Sequence, residues 1–89
     1  MALRILSSPS APQELAEEMR RAIVTALPDA RVEVWPASPG HYEIRVVSGA
    51  FAGQNRVRQQ QLVYAAIAPW MQGDAAPVHA IDRLVTETP

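Results

Sequence analysis

The chain has 89 residues, 48% of them hydrophobic, and no cysteine, so it fits one domain held by apolar packing, without disulfides or a thiolate zinc site. Eight arginines against nine acidic residues, with no lysine, leave a formal charge of -1. That balance excludes the overall basic excess of a dedicated nucleic-acid domain.

The first nine residues, with Ser7, Ser8 and Pro9, read as a flexible N-terminal arm, and a single domain is expected over 10–89. The opening segment lacks the length and cleavage pattern of a signal peptide. No run of about 18 apolar residues occurs, so a cytoplasmic protein with no membrane contact is expected. Ser10 is a candidate N-cap, with Gln13 completing a capping box and Pro12 in the first turn. Leu15, Met19, Ala22, Ile23, Ala26 and Leu27 recur at helical spacing. Pro28 closes a first helix predicted over 11–27.

Arg31-Val32-Glu33-Val34-Trp35 alternates with period two, the pattern of a half-buried strand. Ser38-Pro39-Gly40-His41 places Pro and Gly at the centre of a type II turn. Tyr42, Ile44 and Val46 then alternate with Glu43 and Arg45 in a second strand over about 41–48. The pair reads as an antiparallel hairpin with Val32, Val34, Tyr42, Ile44 and Val46 giving apolar faces. Phe51, between Gly49 and Gly53, is expected to anchor a loop in the core.

Asn55 is a plausible cap for a second helix. Val57, Tyr64, Ile67 and Met71 are assigned to its apolar side, broadened by Leu62 and Ala65. Pro69 is expected to kink or end it, with Gly73 at the exit. Trp70 and Met71 read as core ahead of a partner contact. Val78 to about Val85 reads as a third strand.

Helix, strand, strand, helix, strand gives an α+β domain of two layers, with helices on one face of a three-stranded mixed sheet. The strand–helix–strand crossover makes the second and third strands parallel. His41 and His79 then share one end of the sheet. If the first strand lay between theirs, their backbones would stand about 10 Å apart, two strand spacings.

The run His41-Tyr42-Glu43-Ile44-Arg45-Val46-Val47-Ser48-Gly49-Ala50-Phe51-Ala52-Gly53 is similar to the BolA-family pattern of a histidine–aromatic pair, a hydrophobic strand, then Ser, Phe and Gly. Asn55 to Tyr64 resembles the helix start that ends in a Val-Tyr pair, and Pro77-Val78-His79-Ala80-Ile81 resembles the family's His-Ala strand. Residues 10–89 carry the likeness, which is greatest to the bacterial branch grouped as IbaG/YrbA-like. Gln60 departs from the helix histidine of many relatives. The segment between Tyr64 and His79 is two or three residues longer than usual, and Thr88-Pro89 stand ahead of the point where many relatives carry a Trp-containing tail helix.

The resemblance implies a fold like a type II KH domain and a monothiol glutaredoxin as partner. It also implies that the strand histidine, His79 here, ligates a [2Fe–2S] cluster shared with that partner. From sequence alone, a histidine opening a strand is more often a hydrogen-bonded structural residue. His41 reads either as a strand-edge residue or as a second ligand; relatives often take that ligand from the hairpin loop, and Trp35 to Gly40 holds no cysteine. A [2Fe–2S] centre needs four terminal ligands, normally thiolates, with two histidines in Rieske-type sites. Two histidines without a thiol therefore form at most half of a site, and the isolated chain is expected to hold no cluster.

Arg56 and Arg58, with the three glutamines after them, read as a solvated helix start, or as contacts to a partner or to nucleic-acid phosphates. Some BolA relatives are described as transcription regulators, so DNA binding is the alternative function. The Gly-X-X-Gly clamp used by KH domains is absent. Ser48, Asp82 and a histidine make a nominal triad without a nucleophile motif, and no enzyme activity is expected. The resemblance thus implies a module of iron–sulfur homeostasis and stress response, monomeric or weakly dimeric when alone.

Overall fold

The computed structural model describes residues 11–89. The arm assigned to the first nine residues, and the Ser10 cap, lie outside that range. Helix α1 spans Pro12–Ala26, with Ala11 as cap residue and no side-chain cap bond. Its Leu15, Ala16, Met19 and Ile23 are buried, as is Leu27 beyond its end, so the predicted stripe packs except at Ala26, which is exposed, and Ala16 joins it. On the other side Arg20 donates two hydrogen bonds to Glu17, at 2.9 and 2.6 Å. The Arg20 guanidinium holds the Glu17 carboxyl down at about 2, with Arg21 adding to the effect.

Strands β1 (Arg31–Pro36) and β2 (His41–Val47) form the antiparallel hairpin. The turn between them has the expected chemistry. Gly40 takes φ +78°, and the His41 N–H donates to the Ser38 carbonyl at 2.8 Å, as a type II turn requires. Val32 and Val34 face inward while Arg31, Glu33 and Trp35 are exposed. A 3-10 turn at Gly49–Phe51 follows, with Phe51 fully buried.

Helix α2 spans Arg56–Met71, capped by Asn55, whose side-chain oxygen accepts the Arg58 N–H at 2.8 Å. The helix continues two residues beyond Pro69. Its apolar face differs from the expected one. Val63 and Ile67 are buried, flanked by Leu62, Ala66, Trp70 and Met71, whereas Val57 is 63% exposed and Tyr64 38%. Val57 and Tyr64 sit seven residues apart on the outer side, a hydrophobic spacing that the core does not use.

Strand β3 spans Ala80–Glu87 and pairs parallel to β2. The strand begins two residues later than Val78, which is nevertheless buried in the core. The strand order is β1-β2-β3. β2 is therefore central, and the histidine strands are direct neighbours, one spacing of about 4.8 Å apart. Both helices cover one face, where Tyr42, Ile44, Val46, Ile81 and Leu84 meet Met19, Ile23, Phe51, Val63 and Ile67. The architecture is the α+β arrangement expected. Among the described residues no helix or strand covers the other face of the sheet.

Candidate functional site

The hairpin turn and the lead-in to β3 meet at one rim of the sheet. His79 precedes β3 instead of opening it, and its side chain is exposed. Its N–H donates to the Gly40 carbonyl at 2.7 Å, and the Ala80 N–H donates to the same oxygen at 3.2 Å. The ring lies against the turn. A Cβ built on Gly40 would overlap His79 Cδ2 and stand 2.9 Å from Cγ. Glycine is thus required there twice, for its positive φ and for the close approach of an imidazole.

His41 follows Gly40 directly and pairs in register with Ala80. The expectation that both histidines share one end of the sheet is met, and they flank a single stretch of backbone. His41 Nδ1 lies 2.8 Å from Asp82 Oδ1, with the two side chains 39% and 42% exposed. This contact depends on an irregularity. Tyr42 pairs with Ile81 but Glu43 pairs with Arg83, so Asp82 is an extra residue on β3, a β-bulge. The bulge allows Asp82 and Arg83 both to be exposed. No local sequence signal marks it, and sequence reasoning placed Asp82 only in a nominal triad.

That triad does not assemble. Asp82 meets His41, but Ser48 is buried at the far end of β2 and donates to Asp29 Oδ1 at 2.7 Å. Asp29 Oδ2 accepts the Gly49 N–H at 2.7 Å. The Ser48 hydroxyl and then the Gly49 N–H hold the Asp29 carboxyl below the usual aspartate range.

The remaining candidates lie elsewhere. Arg56 and Arg58 are exposed on the first turn of α2, apart from the histidine rim, and neither has an ion pair among the described residues. Trp70 is half-buried; its indole N–H donates to Glu18 at 3.3 Å and its carbonyl accepts the Val78 N–H at 3.1 Å. It thereby ties α2 to α1 and to the segment leading to His79. On the open face Trp35, Glu43, Arg45, Arg83 and Val85 line a hollow of about 200 Å³, which the sequence did not suggest. Among the described residues no group of three or more His, Asp or Glu is placed to hold a metal. No helix there is long and apolar enough to cross a membrane.

Residues 25–89 match the family model described as BolA-like protein. The chain belongs to the BolA-like family. A protein of Acinetobacter guillouiae, described as an uncharacterized protein in the rpoN–murA intergenic region, is 32% identical over 66 residues, covering 74% of this chain and 76% of that one. Among solved structures, the BolA protein homologue from Coxiella burnetii is 33% identical with a TM-score of 0.65, covering 82% of this chain and 88% of its own. BolA1 from Mus musculus, 27% identical, superimposes with a TM-score of 0.70 over 100% of this chain and 80% of its own. The BolA-like match spans the hairpin, α2 and β3, and so includes both histidines.

Proposed function

We propose that this BolA-like chain is a non-enzymatic interaction module that binds a monothiol glutaredoxin and contributes His79, with His41 beside it, to a [2Fe–2S] cluster shared between the two proteins. The observation that carries the reading is the His79 ring, exposed at the rim while its backbone is pinned to Gly40. Among the described residues no hydrogen bond engages either ring nitrogen of His79. A neutral imidazole of this kind offers a nitrogen lone pair to iron.

The donor set fits half a site. His41 opens β2 and His79 leads directly into the neighbouring β3, and the chain has no thiol, so the thiolate ligands come from the partner. When bound, the cluster supplies one-electron or cluster-transfer chemistry. This chain's part is to bind, orient its imidazoles and complete the coordination. Its place in the cell is then iron–sulfur homeostasis and the stress response linked to it.

Mixing the protein with cluster-loaded monothiol glutaredoxin and recording visible circular dichroism tests the reading. A new spectrum with wild type, lost in His79→Ala, is expected. Because His79 is exposed, the same substitution should change folding stability by no more than about 0.5 kcal/mol. An unchanged wild-type spectrum, or one identical in His79→Ala, defeats the ligand assignment.

A second reading, a DNA-binding regulator, is favoured only by the exposed arginines Arg56 and Arg58 at the positive end of α2. It requires binding that weakens with salt and a shallower salt slope in Arg58→Ala.

A further inference from the structure

We infer that Asp82 is a positioning residue that holds His41 in the tautomer protonated on Nδ1, leaving Nε2 as the atom offered to a metal. The iron-binding half of this inference rests on the function proposed above; the tautomer half does not.

Three observations converge on it. The first is the 2.8 Å contact between His41 Nδ1 and Asp82 Oδ1. An ionised carboxylate only accepts hydrogen bonds, so in a neutral imidazole Nδ1 must carry the proton and Nε2 must keep its lone pair. The second is the bulge. In regular pairing, Asp82 would stand opposite Glu43, and Arg83 would turn toward the core. With Asp82 as the extra residue, Arg83 takes the place opposite Glu43 and Leu84 returns to the helix-covered side. Asp82 is then free of a β2 partner and reaches back to His41. The third is exposure. Both side chains are about two-fifths exposed, and pairs in that setting contribute little to folding. The pair itself therefore adds little to folding, whereas the bulge beneath it keeps Arg83 out of the core and Leu84 in it. What the contact supplies is orientation, because a carboxylate on the outer nitrogen of a ligating histidine fixes its ring and raises its basicity.

The same rim explains why His41 needs such help. His79 has its backbone pinned and its ring laid against Gly40. His41 has its turn-side N–H bonded to Ser38, but among the described residues only Asp82 engages its ring.

The test uses the isolated, nitrogen-15-labelled protein, with long-range proton–nitrogen correlation of the imidazoles at about pH 8, where histidine is neutral. Wild type should show His41 protonated on Nδ1. Asp82→Ala should move His41 toward the Nε2-protonated form, whereas Asp82→Asn, which keeps a carbonyl acceptor, should restore the Nδ1 proton. Backbone amide spectra of each variant report whether it is folded. An Nε2-protonated His41 in wild type, or a tautomer unchanged in Asp82→Ala, overturns the positioning role.

A second arm adds cluster-loaded glutaredoxin. Asp82→Ala should weaken formation of the mixed complex by about 10-fold, with partial recovery in Asp82→Asn. A tautomer that shifts while complex formation stays at the wild-type level removes His41 from the ligand set. Expected tautomers with no spectral change even for wild type defeat the shared-cluster reading and leave the positioning role standing.

Discussion

The two ends of the sheet treat their polar groups in opposite ways. At the end where β2 leaves the sheet, Ser48 is buried and its hydroxyl is bonded on both sides, donating to Asp29 and accepting the Ala50 N–H at 3.1 Å. The Ser48 N–H is bonded in turn to the Glu87 carbonyl at 3.0 Å, and Phe51 seals the end from below with no exposed surface. The Ser48 hydroxyl, the Asp29 carboxylate and the Gly49 and Ala50 N–H groups are all engaged in holding the fold. At the opposite end, His41, His79 and Asp82 are at least partly exposed, and the backbone is fixed more tightly than the side chains. A rigid frame that leaves His41 Nε2 and the His79 ring nitrogens without a hydrogen-bond partner among the described residues is what the proposed binding role requires. The closed end contributes to stability and the open end keeps its chemistry available.

Substitutions should separate the two ends. The largest loss is expected from Phe51→Ala at the closed end. Phe51 is fully buried against the core, and deleting a buried phenyl ring costs about 3–5 kcal/mol. Urea denaturation should show the midpoint falling accordingly. A loss below about 1 kcal/mol would mean that this end is not the anchor described.

Gly40→Ala sharpens the contrast at the open end. The position combines φ +78° with a side chain that would overlap the His79 ring, whereas Gly53, at φ +79°, has nothing within 4 Å. Backbone strain of this type costs about 1–3 kcal/mol and should appear in both Gly40→Ala and Gly53→Ala. Only Gly40→Ala should also shift the His79 imidazole resonances and impair mixed-complex formation. Equal behaviour of the two variants in both measurements would remove Gly40 as the seat of His79.

This contrast also divides what the sequence made legible from what it did not. The turn at Ser38–His41 was readable because Pro and Gly each have a strict backbone requirement. The α1 stripe was readable because its apolar positions follow one period without interruption. Helix α2 was misread on one side. Its sequence holds apolar residues on two faces, and only packing against β3 and α1 selects Val63 and Ile67 over Val57 and Tyr64. Val78 fits a strand pattern, yet it serves as a core plug in an extended lead-in, so periodicity placed the start of β3 two residues early. Asp82 facing His41 and Asp29 facing Ser48 were not readable at all. Those partners lie 41 and 19 residues apart, and the first pair depends on a bulge that exists only once two strands are in register. Gln59 is a similar case. It read as one of three solvated glutamines, but its amide donates to the Phe51 and Gln54 carbonyls and accepts from Thr86.

The smallest expected effect tests the closed end from its polar side. Ser48→Ala removes one hydroxyl bonded to Asp29 and Ala50, a net loss of about 1 kcal/mol at neutral pH. Its pH dependence is more diagnostic than its size. Asp29 has a lowered folded-state value, caused first by the Ser48 hydroxyl. The stabilisation it brings is therefore present above the unfolded aspartate value of about 3.9, and is lost as pH falls through the lower folded value. Without the hydroxyl, the folded value rises toward the unfolded one, and less stability remains to be lost in acid. Urea midpoints of wild type and Ser48→Ala should accordingly differ at neutral pH and converge as Asp29 becomes protonated. A gap that stays constant across that range would show that Ser48 acts by packing alone, and that the closed end owes nothing to the charge on Asp29.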